Sequence, residues 1–90
     1  MDTTEDLKLA QVVSSKTGRD KGKVFLIFEI VDDQYVLIVD GNFHKVEKPK
    51  RKKAKHLQKY NVVLNDIASD LYNKNIGNAS VRKALEPYNK

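Results

Sequence analysis

Gly18-Arg19-Asp20-Lys21-Gly22-Lys23-Val24-Phe25-Leu26-Ile27-Phe28-Glu29-Ile30-Val31 is the stretch whose reading settles the fold. Gly18 and Gly22 bracket three charged residues, and an apolar run begins just after them. Glycine lets the backbone turn tightly, or lets a phosphate come close to it. The run that follows is rich in β-branched and aromatic residues, the composition of a strand. Val24, Leu26, Phe28 and Ile30 fall on one face of that strand, and Phe25, Ile27 and Val31 on the other. A strand apolar on both faces is covered on both. One face therefore fits the inside of a β-barrel, and the other needs a lid.

The flanking sequence supplies partners for this strand. Leu9 to Val13 reads as a strand before it and Tyr35 to Val39 as one after it, with Asp32-Asp33-Gln34 as the turn between the second and third. Asp40-Gly41-Asn42 is a further turn, with Gly41 able to take a positive φ. The lid comes from the C-terminal third. Leu64, Ile67, Ala68, Leu71 and Tyr72 follow the spacing of an amphipathic helix that starts near Asn65 or Asp66. Gly77-Asn78 breaks that helix. A second follows with Asn78 or Ser80 as N-cap and Val81, Ala84, Leu85 and Tyr88 on one face. Pro87 disfavours helical geometry at Glu86, which predicts an end there. Helices this short are not stable alone, so both must dock on the strands.

Ninety residues leave no room for a second independent core. Residues 1–60 are expected to hold the β body with its basic segment, and 61–90 a helical extension of the same domain. Cysteine is absent, which excludes disulfides and thiolate metal sites. No apolar run approaches the roughly 20 residues a membrane-spanning helix needs. The polar, acidic opening Met1-Asp2-Thr3-Thr4-Glu5-Asp6 does not look like a secretion signal. A cytoplasmic monomer is expected.

Charge is the other informative feature. Between His44 and Tyr60 lie Lys45, Lys48, Lys50, Arg51, Lys52, Lys53, Lys55 and Lys59 against the single acid Glu47. That segment carries +7 in a chain of net +5, which leaves −2 for everything else. Six of the eight residues from Lys48 to Lys55 are basic, and like charges packed so closely repel one another until an anion relieves them. The run is internal, framed by Val46 and Leu57, so it is not a solubilising tail. Five of its six cations are lysines, point charges that lack the planar fork of arginine. Phosphate and shape recognition is therefore expected in preference to base reading. Of the aromatic residues bordering the run, Phe43 and Tyr60 read as core and His44 as the better stacking surface, with His56 as a further contact.

Val12-Val13-Ser14-Ser15, Gly18-Arg19-Asp20-Lys21-Gly22-Lys23, the apolar strand and then Val39-Asp40-Gly41 together resemble a KOW motif. The resemblance continues through Lys48-Pro49-Lys50-Arg51-Lys52-Lys53-Ala54-Lys55-His56-Leu57. This is similar to the basic strand and Lys-His-Leu closure in KOW-barrel large-subunit ribosomal proteins of archaea and eukaryotes. Ala10 stands where that family commonly has glycine, and its long basic C-terminal extension has no counterpart here. The resemblance implies an SH3-like, five-stranded KOW barrel followed by two short helices packed on it, in a short, bacterial-type relative. It implies binding to ribosomal RNA, the ribosome or its assembly intermediates through Ser15, Lys16, Arg19, Lys21 and Lys23 together with the basic run. KOW barrels also occur in transcription factors of the NusG type, so ribosomal or transcription proteins are alternative partners.

Catalysis is not expected. His44 and His56 are the only histidines, and no spacing of histidine with carboxylates suggests a metal set. The Gly18–Lys23 segment lacks the spacing of a nucleotide-binding Gly-x-x-x-x-Gly-Lys loop. No cofactor is expected either, and the polybasic run has no apolar helix face beside it to seat on a membrane.

Overall fold

Val24 through Phe28 are all buried, five consecutive residues with no exposed face among them. This run belongs to β2 (Val24–Ile30), the middle strand of a five-stranded antiparallel sheet seen in a computed structural model that describes residues 3–89. The other strands are β1 (Gln11–Ser15), β3 (Tyr35–Val39), β4 (Lys50–Lys53) and β5 (Leu57–Val63), in the spatial order β4-β3-β2-β1-β5. Helices α1 (Asn65–Tyr72) and α2 (Asn78–Leu85) follow.

The two faces of β2 feed two separate cores. Phe25 and Ile27 pack with Leu7, Val13, Val36, Ile38, Ala54 and Leu57 on the inner side of the curled sheet. Leu26 and Phe28 pack with Ala10, Val12, Val39 and the helix residues Leu71, Val81 and Leu85. The helices are thus the lid that the doubly apolar strand required. Burying each such side chain is worth about 1.5–3 kcal/mol, and α2 contributes two fully buried residues against one from α1.

The closed barrel expected from sequence is not formed. β4 and β5 are the two edges of an open sheet, and no ladder joins them. The 3-10 turn Ala54–His56 links the end of β4 to the start of β5, which pairs with β1 rather than with β4. Its first amide donates to the carbonyl of Gln34 at 2.8 Å, and the carbonyl of His56 accepts from the Lys16 amide at 2.8 Å. The turn therefore ties the β2–β3 hairpin to the β1–β2 loop, and Ala54 and Leu57 plug the inner core.

Several local expectations need correction. β1 begins two residues later than the Leu9 start, because Lys8 to Gln11 forms a turn in which Ala10 is left-handed, with φ of 67°. A bulge between Ile27 and Glu29 changes the phase of β2, so Ile30 and Val31 are exposed rather than continuing the two apolar faces. Tyr72 turns away from the lid and is 75% exposed. Gly77 occupies the N-cap of α2, while the Asn78 side chain is spent on the β3–β4 loop. α2 ends at Leu85 as the proline predicts, yet Glu86 keeps helical angles and Pro87 sits inside a 3-10 turn. β5 runs on to Val63, past residue 60.

Gly18, Gly22 and Gly41 all have positive φ, as turn residues, but their surroundings differ. A Cβ on Gly18 or Gly22 would meet open space, whereas on Gly41 it would collide with the Asn78 carbonyl of α2 and sit 3.0 Å from Arg82 Cγ. Gly18→Ala and Gly22→Ala are each expected to lose about 1–2 kcal/mol from the left-handed backbone alone. Gly41→Ala should lose clearly more in chemical denaturation, because α2 must also shift.

Candidate nucleic-acid interface

Antiparallel strands place the β1–β2 loop, the β3–β4 loop and the start of β5 at one end of the sheet. Two contacts lock these segments together. Lys16 is bonded through its amide to His56, as above, and His44 Nε2 lies 3.0 Å from Asp20 Oδ2. The cations predicted from sequence gather around these two joints.

The first group surrounds His56. Lys16 and Lys55 are exposed, Lys52 and Lys53 half-buried. His56 is held below the usual histidine range, first by desolvation and then by the charges of Lys55, Lys52, Lys53 and Lys16. A ring that feels four cations at once marks a place of concentrated positive potential. The second group surrounds the β3–β4 loop. Lys45, Lys48 and Lys50 are exposed beside a shallow recess that also includes Phe43, His44 and Pro49. Lys23 sits across the loop with its Nζ 3.9 Å from the centre of the Phe43 ring.

The basic run is thus two clusters rather than a single ridge. The split follows position along β4, with Lys50 at its start beside the β3–β4 loop and Lys52 and Lys53 at its end near His56, while alternation further divides the strand's side chains between two faces. Lys50 and Lys52 pair with Ile38 and Val36, while Arg51 and Lys53 pair with Leu37 and Tyr35, so neighbours along the strand start on opposite faces. Arg51 lies over the Tyr35 ring at 4.2 Å, on the side away from the inner core. Arg19 and Lys21 are exposed on the β1–β2 loop.

Among the described residues none of these cations forms an ion pair with an acid, although Asp32, held low by the Gln34 and Tyr35 amides, also feels the charge of Arg51. The ion pairs among the described residues are His44–Asp20 and Lys74–Glu29. Glu47, the one acid of the run, accepts a hydrogen bond from Asn78 Nδ2 at 2.8 Å. Because β4 is an edge, its lysines also oppose pairing with a strand of another chain. Edge protection does not account for Lys16, Lys45, Lys48 and Lys55, which lie off the strand.

Two residues expected to touch RNA have other work. Ser15 is buried, and its hydroxyl donates to the Thr17 carbonyl at 2.9 Å, closing the start of the β1–β2 loop. His44 is only 21% exposed, paired with Asp20 and 5.6 Å from the Phe25 ring, so it fastens two loops and offers no open face. Phe43, read from sequence as core, is instead 67% exposed. Tyr60 does pack against the lid, edge-on to Tyr88 at 6.2 Å. Sequence reasoning also missed Asn78 and Arg82, which hold the β3–β4 loop in place from α2. The signal for Phe43 was its position directly after a turn cluster, Asp40-Gly41-Asn42, where side chains at the tip face solvent.

No helix of the described residues is long and apolar enough to cross a membrane. Compared with models of known protein families and with curated proteins, the chain matches none.

In a pH titration followed by NMR, His56 is expected to titrate below 6.5, and changing Lys52 and Lys53 to Gln should move it upward. Since the folded state resists protonating this ring, stability should fall as the pH drops through 6.5, the value of the unfolded chain. Asp32, held low by the Gln34 and Tyr35 amides, adds a second loss as the pH falls through 3.8 and below. A His56 value above 6.5 would contradict the clustering of charge around it.

Proposed function

We propose that this chain is a KOW-type RNA-binding module that grips structured RNA, in particular ribosomal RNA on the ribosome or its assembly intermediates, through phosphate and shape contacts. The observation that carries this reading is the gathering of cations that form no ion pairs among the described residues into two groups, around His56 and around the β3–β4 loop. Each phosphate they neutralise releases counterions, and the gain is greatest where the protein's own like charges repel.

Three features of the backbone support the family part of the proposal. The Gly18–Lys23 loop turns between β1 and β2 with both glycines left-handed. Ala10 adopts the positive φ that a glycine supplies at the position where the KOW pattern commonly has one. The Lys-His-Leu segment runs from the 3-10 turn Ala54–His56 into β5, with Ala54 and Leu57 in the inner core, in keeping with an SH3-like chain path whose sheet is open. On this reading the chain is cytoplasmic, works without a cofactor and performs no catalysis.

Binding to a structured RNA should weaken steeply with salt, with a log–log slope of roughly 0.7–0.9 per phosphate contact. Changing Lys50, Arg51, Lys52 and Lys53 together to Gln should lower both the affinity and the slope, as read by fluorescence anisotropy across a salt series. An unchanged slope would remove β4 from the interface. Retention of RNA polymerase after nuclease treatment, with no ribosomal RNA bound, would favour the transcription reading instead.

A further inference from the structure

Phe43 is the least expected feature of the charged end, a large apolar ring left 67% exposed. Its exposure is not the result of a slack loop. Asp40 Oδ1 accepts from the amides of Asn42 and His44 at 2.9 and 2.8 Å, and the His44 carbonyl accepts from the Asp40 amide at 2.9 Å. From outside, Arg82 donates to the Gly41 carbonyl, and Asn78 Oδ1 accepts from the Val46 amide at 2.9 Å. The helix α2 thus fixes both sides of the loop and presents the ring at its tip.

Lys23 lies over the Phe43 ring. The recess that Lys23 does not line is bounded by Phe43, His44, Lys45, Lys48, Pro49 and Lys50. A rigid aromatic surface next to three unpaired lysines matches the two chemical parts of a nucleotide, a flat base and an anionic phosphate. We infer that Phe43 is a stacking platform for an unpaired RNA base, with Lys45, Lys48 and Lys50 taking the adjoining phosphates. The inference rests on the RNA-binding reading and narrows it, since bases inside a continuous duplex are already stacked and cannot reach the ring. The preferred ligand is then a loop, bulge or single strand. Because the loop is held before binding, little ordering cost offsets the stacking.

The chain contains no tryptophan, so Phe43→Trp places a single indole reporter at the site. The probes are a short single-stranded oligoadenylate and a blunt RNA duplex of equal length. The single strand should quench the Phe43→Trp fluorescence and the duplex should not. Phe43→Ala should weaken single-strand binding by about tenfold and leave duplex binding within about twofold of wild type. The inference is overturned if the indole is not quenched, or if Phe43→Ala binds the single strand like wild type, while changing Lys45, Lys48 and Lys50 to Gln weakens both ligands. That pattern would leave the proposed function standing without the platform. If wild-type protein binds neither RNA, the proposed function itself fails. Ring exposure makes unfolding of the variants unexpected, and a thermal melt of each checks it.

Discussion

The constraint on which the structure depends is the burial of β2 from both sides. A five-residue run with no exposed face cannot sit in a sheet that leaves one side to water, so two cores must exist. The inner one is made by curling the sheet and plugging it with Ala54 and Leu57. The outer one is made by helices that are too short to persist without it. With both faces of Val24–Phe28 occupied, the basic run is left to the edge strands and the loops. Packing thus sets where charge collects before any ligand is considered.

The helices do more than cover an apolar surface. α2 places Asn78 and Arg82 against the β3–β4 loop, and Gly41 is the residue that permits so close an approach. The same element that completes the outer core therefore orients the loop that carries Phe43, Lys45 and Lys48. His44 serves the same end from the other side, through Asp20. Stability and recognition are coupled here through the contacts that hold the β3–β4 loop rather than through the lysines it carries, Lys45 and Lys48, which make no ion pairs among the described residues.

Much of this was legible in the sequence, and the failures share a cause. The strands over Val24–Ile30 and Tyr35–Val39 and both helices follow from local composition and period, which the fold leaves in place. The basic run was visible as composition, but its division into two clusters depends on where β4 begins and ends and on the 3-10 turn that brings His56 to Lys16, neither of which a local pattern gives. The exposure of Ile30 and Val31 depends on one bulged residue. Phe43 against His44 is decided by contacts more than 20 positions apart: Asp20 to His44 and Gly41 to Arg82. Hydropathy ranks phenylalanine as core and histidine as surface, and a tertiary ion pair reverses that order here.

The central claim, that the two groups of cations around His56 and the β3–β4 loop form the RNA-binding surface, is tested most directly by following backbone amide shifts in NMR while a structured ribosomal RNA fragment is added. The account predicts that changes concentrate at Lys16, at Asn42 to Lys48 and at Lys50 to His56, with the solvent side of α1 silent. Changes confined to Ile30, Val31 and Tyr72, or no changes at all, would contradict it.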